Sequence, residues 1–247
     1  RVSQQCRSLT EFLDTFEVFY PLLKTQGALE RITRELCEDL HSDNVVYAEM
    51  RFAPILNIQN LDRSHEQMTA AVLAAASGME AGCRSTGVDA GLILCCYRGC
   101  DPRYALETVE IARAVRDEAA RAGRTPAVLG IDLAGDESRY PAAGFQEAFD
   151  LARRCGIPAT VHAAEAAGPQ SARDALDLLS ARRIGHGIRI EEDADLLARI
   201  IREKIPLEIC LTSNLQTATV PSLEAHPFRR YLDRGVRVTL NTDAPAI

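Results

Sequence analysis

The chain has 247 residues, 47% of them hydrophobic, with a formal net charge of −7. That length suffices for one large core, so a single domain over residues 1–247 is expected. The acidic balance without a Lys/Arg block argues against a nucleic-acid or anionic-membrane partner. No apolar run is long enough to span a bilayer or to form a signal-peptide core. Eight scattered cysteines, none in a CxxC pair, point to reduced thiols in a cytoplasmic protein.

In chain order, two helical patterns come first, over 8–24 and 28–41. Short apolar runs then alternate with amphipathic segments. The runs predict strands over 45–52, 88–97, 127–133, 158–163, 183–188, 206–211 and 236–241. The segments between them predict helices over 66–83, 102–122, 142–154, 171–179, 191–203 and 226–234. Strands flanked by helices of this length imply parallel crossovers, and near-continuous apolar runs suit strands covered on both faces. The order is that of an α/β protein with a TIM-type (β/α)8 barrel, incomplete, with about seven parallel strands. A doubly wound open sheet is the competitor, and the lack of GxGxxG after a strand weakens it. The chain starts at Arg1 and stops at Ile247 after a strand-like run, so a fragment lacking the first strand and last helix is expected.

Functional groups of a βα barrel collect at the C-terminal ends of its strands. Those ends carry Glu49, Arg51, Arg98, Asp132, Asp136, Glu137, His162, Glu165, His186, Ser213, Asn214 and Asp243. His162 and Glu165 are three apart, so both serve one site only if the chain leaves the strand between them. The loop-like 166–169 stretch makes that exit expected. A histidine there suits a metal, and a glutamate beyond it suits proton transfer. The bland alternative is a core histidine beside a solvent-facing glutamate. His186 lies between Gly185 and Gly187, which suggests close backbone approach, although a core histidine is again the alternative. Asp132 is expected to pair with Arg51, and Asp243 either joins the site or caps a helix. His41, His65 and His226, at helix ends or entries, read as structural or surface residues.

The ordered motifs, 45–54 VVYAEMRFAP, 130–137 GIDLAGDE, 162–165 HAAE, 183–187 RIGHG, 210–214 CLTSN and 241–243 NTD, resemble those of the adenosine deaminase family across nearly the whole chain. The resemblance implies zinc-dependent hydrolytic deamination of adenosine or a close 6-aminopurine, with one zinc ion per subunit. It makes His162 and Asp243 zinc ligands, Glu165 the proton donor to the purine ring and His186 the residue orienting the metal-bound water. Gly135 would contact the purine through its backbone, and the partner would be a small purine nucleoside. Adenine or a modified adenosine is the sister substrate, and an inactive purine-binding paralogue is the alternative outside enzymes.

Three departures stand out. The family's His-x-His zinc pair is absent, so the 247-residue chain is expected to be inactive and to hold zinc poorly. Ala244 replaces a second Asp, which predicts weaker or redirected recognition of the purine's imidazole edge. Ala164 stands where the family usually has Gly.

Overall fold

A computed structural model describes residues 6–243, so Ala244 lies outside the described residues. The elements follow the expected alternation. They are α1 (Leu9–Asp14), α2 (Gln26–Ser42), β1 (Tyr47–Phe52), α3 (Ser64–Thr86), β2 (Asp89–Tyr97), α4 (Arg103–Arg121) and β3 (Val128–Ala134). Then come α5 (Gln146–Arg154), β4 (Thr160–Ala163), α6 (Pro169–Asp177), β5 (Arg183–His186), α7 (Ala194–Glu203), β6 (Leu207–Ile209), α8 (Leu211–Gln216), α9 (Phe228–Asp233) and β7 (Val238–Leu240).

Two expectations need correction. The helical pattern over 8–24 is α1 followed by two 3-10 turns, Thr15–Val18 and Tyr20–Leu23. α1 already stops at Asp14, and Pro21, which lacks an N–H and clashes with the carbonyl four residues back, disfavours a regular α-helix through the second 3-10 turn. The expected strand over 206–211 ends at Ile209, and α8 opens at once with Ser213 and Asn214 on it.

The chain forms two compact units. One is Val18–Asp132 with Leu151–Pro158. Its sheet has the order β1-β2-β3, with β1 parallel to β2 in a register from Tyr47↔Asp89 to Phe52↔Leu94. Residues Leu92–Cys96 are buried throughout, as the unbroken apolar run predicts. α2 and α3 pack through small residues, Ala71, Ala75, Gly78 and Gly82. A Cβ on Gly78 would meet the Glu30 carbonyl oxygen at 2.0 Å, so only glycine permits this approach. The expected Arg51–Asp132 pair is formed, Nη1 to Oδ2 at 3.2 Å, with Asp132 fully buried.

The other unit holds Leu133–Asp150, Ala159 onward and the chain's start up to Glu17. Its sheet has the order β4-β5-β6-β7, parallel at every pair. Val161, Ile184 and Leu207 form its dry centre. None of the eight cysteines forms a disulfide. Burial pushes the Cys95 and Cys96 thiols well up, and burial with the neighbouring Cys83 pushes Cys37 up to about 12. No helix among the described residues is long and apolar enough to cross a membrane.

Candidate catalytic and metal centre

β4 carries His162 and ends at Ala163, and the chain then turns at Ala164, whose φ is +53°. This is the required exit from the strand. It also gives a reason for glycine at this position in the family, because an L side chain in the left-handed region costs roughly 1–2 kcal/mol. The turn is held from outside. The Glu137 carboxylate accepts from the Glu165 and Ala167 backbone N–H groups, both at 2.7 Å, and from the Ser171 hydroxyl at 3.0 Å. Ser171 Oγ in turn accepts from the Ala164 N–H at 2.6 Å. Glu165 is thereby turned inward and buried, not solvent-facing.

His186 ends β5 with φ +60° and is 1% exposed. Its neighbour Gly185 pairs in register with His162. A Cβ on Gly185 would lie 3.2 Å from the His162 Cα, Cγ and Nδ1, so the glycine makes room for that ring. The two imidazoles sit with centroids 5.0 Å apart. From α8, Asn214 Nδ2 donates to Glu165 Oε1 at 3.1 Å and lies 3.0 Å from His186 Nδ1. Thr217 Oγ1 donates to Glu165 Oε1 at 3.2 Å, and Ser213 Oγ donates to Asp243 Oδ2 at 2.8 Å.

His162 Nε2 lies 4.0 Å from Asp243 Oδ1, and His186 Nε2 lies 3.6 Å from Glu165 Oε2 and 3.9 Å from Asp243 Oδ2. Among the described residues, His162, His186 and Asp243 form the one group of three whose ligand atoms lie within 4.8 Å of one another. The 4.0 Å gap is no wider than twice a zinc–ligand distance of about 2.0–2.2 Å, so one ion between His162 and Asp243 reaches both. Imidazole nitrogen with carboxylate oxygen is also a donor set that suits zinc. Burial raises the Glu165 pKa, with Asp243 adding to the rise and the adjacent imidazoles opposing it. Burial would raise Asp243 too, but the facing His162 and His186 imidazoles and the Ser213 hydrogen bond outweigh it and hold that carboxyl well below its usual range. One carboxyl is thus biased toward its acid form and the other toward its anion. That is the division expected of a proton donor beside a metal ligand.

The sequence-predicted residues separate into two groups. His162, Glu165, His186, Ser213, Asn214 and Asp243 converge, joined by Glu137. Glu49, Arg51, Arg98 and Asp132 belong to the other unit. Gly135 follows β3 with φ +111° and connects to the cluster through Glu137, two residues on. Asp136 is a local anchor, taking the Thr10 hydroxyl at 2.7 Å and the Ser138 N–H at 3.0 Å. Sequence reasoning missed Thr217 and the part played by His226, which is structural as expected but buried against Asn214. A buried His-Pro at a helix entry has no periodic signature, and only the polar CLTSN run hinted that something must hold Asn214.

Over residues 1–247 the chain matches the family described as adenosine deaminase. The adenosine deaminase of Haemophilus ducreyi is 46% identical over 244 residues, covering 98% of this chain and 68% of that one. Among solved structures, an adenine deaminase from Arthrobacter aurescens superposes with a TM-score of 0.83 at 27% identity, over 99% of this chain and 71% of that one. An amidohydrolase from Burkholderia ambifaria with bound zinc gives 0.81 at 29%, over 94% and 62%. These likenesses put the fold with the TIM-type α/β barrels, here with seven strands among the described residues, and the activity with the deaminase hydrolases. With the match running through every strand and the site motifs in order, this chain belongs to the adenosine deaminase family.

Proposed function

We propose that the full natural protein, with residues 1–247 read as one domain of its barrel, catalyses zinc-assisted hydrolytic deamination of adenosine, while the 247-residue chain alone is expected to be inactive. The observation that carries this is the buried Glu165–His186 pair, 3.6 Å apart, lying against the His162–Asp243 pair. His162 and Asp243 would hold the ion. When bound, zinc supplies Lewis acidity and lowers the pKa of a water to about 7. Glu165, whose pKa burial raises, donates its proton to the purine ring nitrogen next to the reacting carbon. That carbon is then open to attack by the water oxygen that His186 orients. The new C–O bond replaces the C–N bond, the amine leaves as ammonia with one of the water's two protons, and the other returns Glu165 to its acid form, giving an inosine-type product. Gly135 offers its backbone to the purine, having no side chain to stand in the way and taking its positive φ without strain.

The 46% identical relative named adenosine deaminase supports adenosine over adenine, which the Arthrobacter structure's name would favour. Ammonia release from adenosine, adenine and an N6-methylated adenosine nucleotide by the full natural protein with zinc decides the matter. The expected result is the highest kcat/KM for adenosine. Release from none of the three would overturn the function, and preference for adenine would overturn the substrate.

A further inference from the structure

His226 and Asn214 have no part in the chemistry above, yet both are buried, at 3% and 0% exposure, directly behind His186. Their hydrogen bonds form a directed chain. The Phe228 backbone N–H, which can only donate, gives its hydrogen to His226 Nδ1 at 3.0 Å. Burial, with the Arg230 charge adding, lowers the His226 pKa and keeps the ring neutral. Its one proton is then on Nε2, which lies 3.2 Å from Asn214 Oδ1. The asparagine amide is thereby oriented, since Oδ1 must accept here and Nδ2 must face the other way. The two Nδ2 hydrogens go to Glu165 Oε1 at 3.1 Å and His186 Nδ1 at 3.0 Å. A nitrogen that accepts from an amide carries a lone pair, so neutral His186 has its proton on Nε2.

We propose that His226 and Asn214 are positioning residues which, anchored on the Phe228 amide, fix His186 as the Nε2–H tautomer pointing into the site. That nitrogen faces Glu165 and Asp243 at 3.6 and 3.9 Å. An N–H there has no lone pair for a metal, so His186 is a donor to the attacking oxygen and leaves the ion to His162 and Asp243. The proposal rests on the deaminase reading for its consequence but not for its test, because a tautomer exists without substrate.

The experiment is a two-bond 1H–15N spectrum of 15N-histidine-labelled protein, recorded zinc-free and zinc-loaded, with His186 assigned by its loss in His186→Ala. His186 is expected to show an unprotonated Nδ1 and a protonated Nε2 in both states. A protonated Nδ1 with a bare Nε2 in the unaltered protein overturns the proposal without any variant needing to fold. Asn214→Asp offers only acceptors, so it is expected to move the proton to Nδ1. His226→Phe is expected to mix the two tautomers by freeing the amide to flip, and His226→Gln, which keeps a donor toward Oδ1, is expected to restore Nε2–H. A His186 signal unmoved in Asn214→Asp and His226→Phe overturns the relay. In catalysis Asn214→Asp is expected to lower kcat by about 10²–10⁴-fold, in line with an imidazole held in the wrong tautomer, with KM changed far less. Correct tautomers in a protein that deaminates nothing would sink the functional reading and leave this one standing.

Discussion

Two polar layers share one face of the β4–β7 sheet, and they are built on opposite terms. Thr160 and His162 point the same way from β4, as do Arg183 and Gly185 from β5, because side chains alternate with period two. In the lower layer, buried Glu208 takes the Arg183 Nε at 2.7 Å and the Thr160 hydroxyl at 3.0 Å. In the upper layer the imidazoles and carboxylates stand 3.6–4.0 Å apart, beyond hydrogen-bond contact across the gaps that face one another. Both layers bury charge. The lower one closes its charges on each other and is structural. The upper one keeps its charges spaced by hydrogen bonds from behind, which is the condition for holding a third party.

Removing either proposed ligand, His162→Ala or Asp243→Ala, is expected to abolish both zinc content and ammonia release, measured by metal analysis after dialysis and by a coupled assay. Full zinc retention in both variants would erase the distinction between the layers. Equilibrium dialysis of the 247-residue chain itself is expected to show weak zinc binding, since structural and catalytic zinc sites use three or four protein ligands. Stoichiometric tight binding would show that the two ligands suffice.

Glu165→Gln is expected to lower kcat by about 10²–10⁴-fold while Tm stays level or rises, because a buried carboxyl is exchanged for a neutral amide. The sign with pH is set by burial, which raises the Glu165 pKa. The donor is charged with its proton at low pH, and kcat falls as pH rises through that pKa. In Glu165→Gln this limb should vanish from the pH profile, and its persistence would assign it to another group.

Glu208→Ala should behave in the opposite way. Losing its two partners is expected to cost about 1–3 kcal/mol of stability, read as a Tm lowered by about 2–4 °C per kcal/mol. The zinc content and kcat of the folded fraction should remain close to those of the unaltered protein. The smallest expected effect is that of Gly185→Ala, whose Cβ would press the His162 ring from 3.2 Å and displace it by a few tenths of an ångström. A several-fold weaker zinc affinity with a folded protein would be the signature, and no change in affinity would show that the ring has slack.

Much of this arrangement was legible in the sequence. Each apolar run from 45–52 to 236–241 contains a strand, because a sheet covered on both faces needs unbroken apolar residues. His162 and Glu165 could be placed at one site because the loop after Ala163 had to turn. What was hidden lies in contacts between distant segments. Glu137 and Ser171 close the 162–171 turn by side-chain bonds to backbone amides, and His226 reaches Asn214 across 12 residues of irregular chain. Neither leaves a periodic trace. In the second half of the helix expected over 8–24, Pro21 is a local obstacle that could have been weighed against the pattern.

β4 and β7 are the outermost strands of their sheet, three steps apart. At roughly 4.8 Å per step a flat sheet would separate them by about 14 Å. Yet His162 of β4 and Asp243, just past β7, approach to 4.0 Å. The reach of the two side chains and the turn after β7 take up most of that gap, and an ion gripped by these two residues would act as a clasp across the sheet's open side. Zinc would then do mechanical work as well as chemical. Because it binds only the folded form, it should raise the unfolding temperature in proportion to the logarithm of its free concentration. A protein stripped of zinc would lose that fastening between its outer strands.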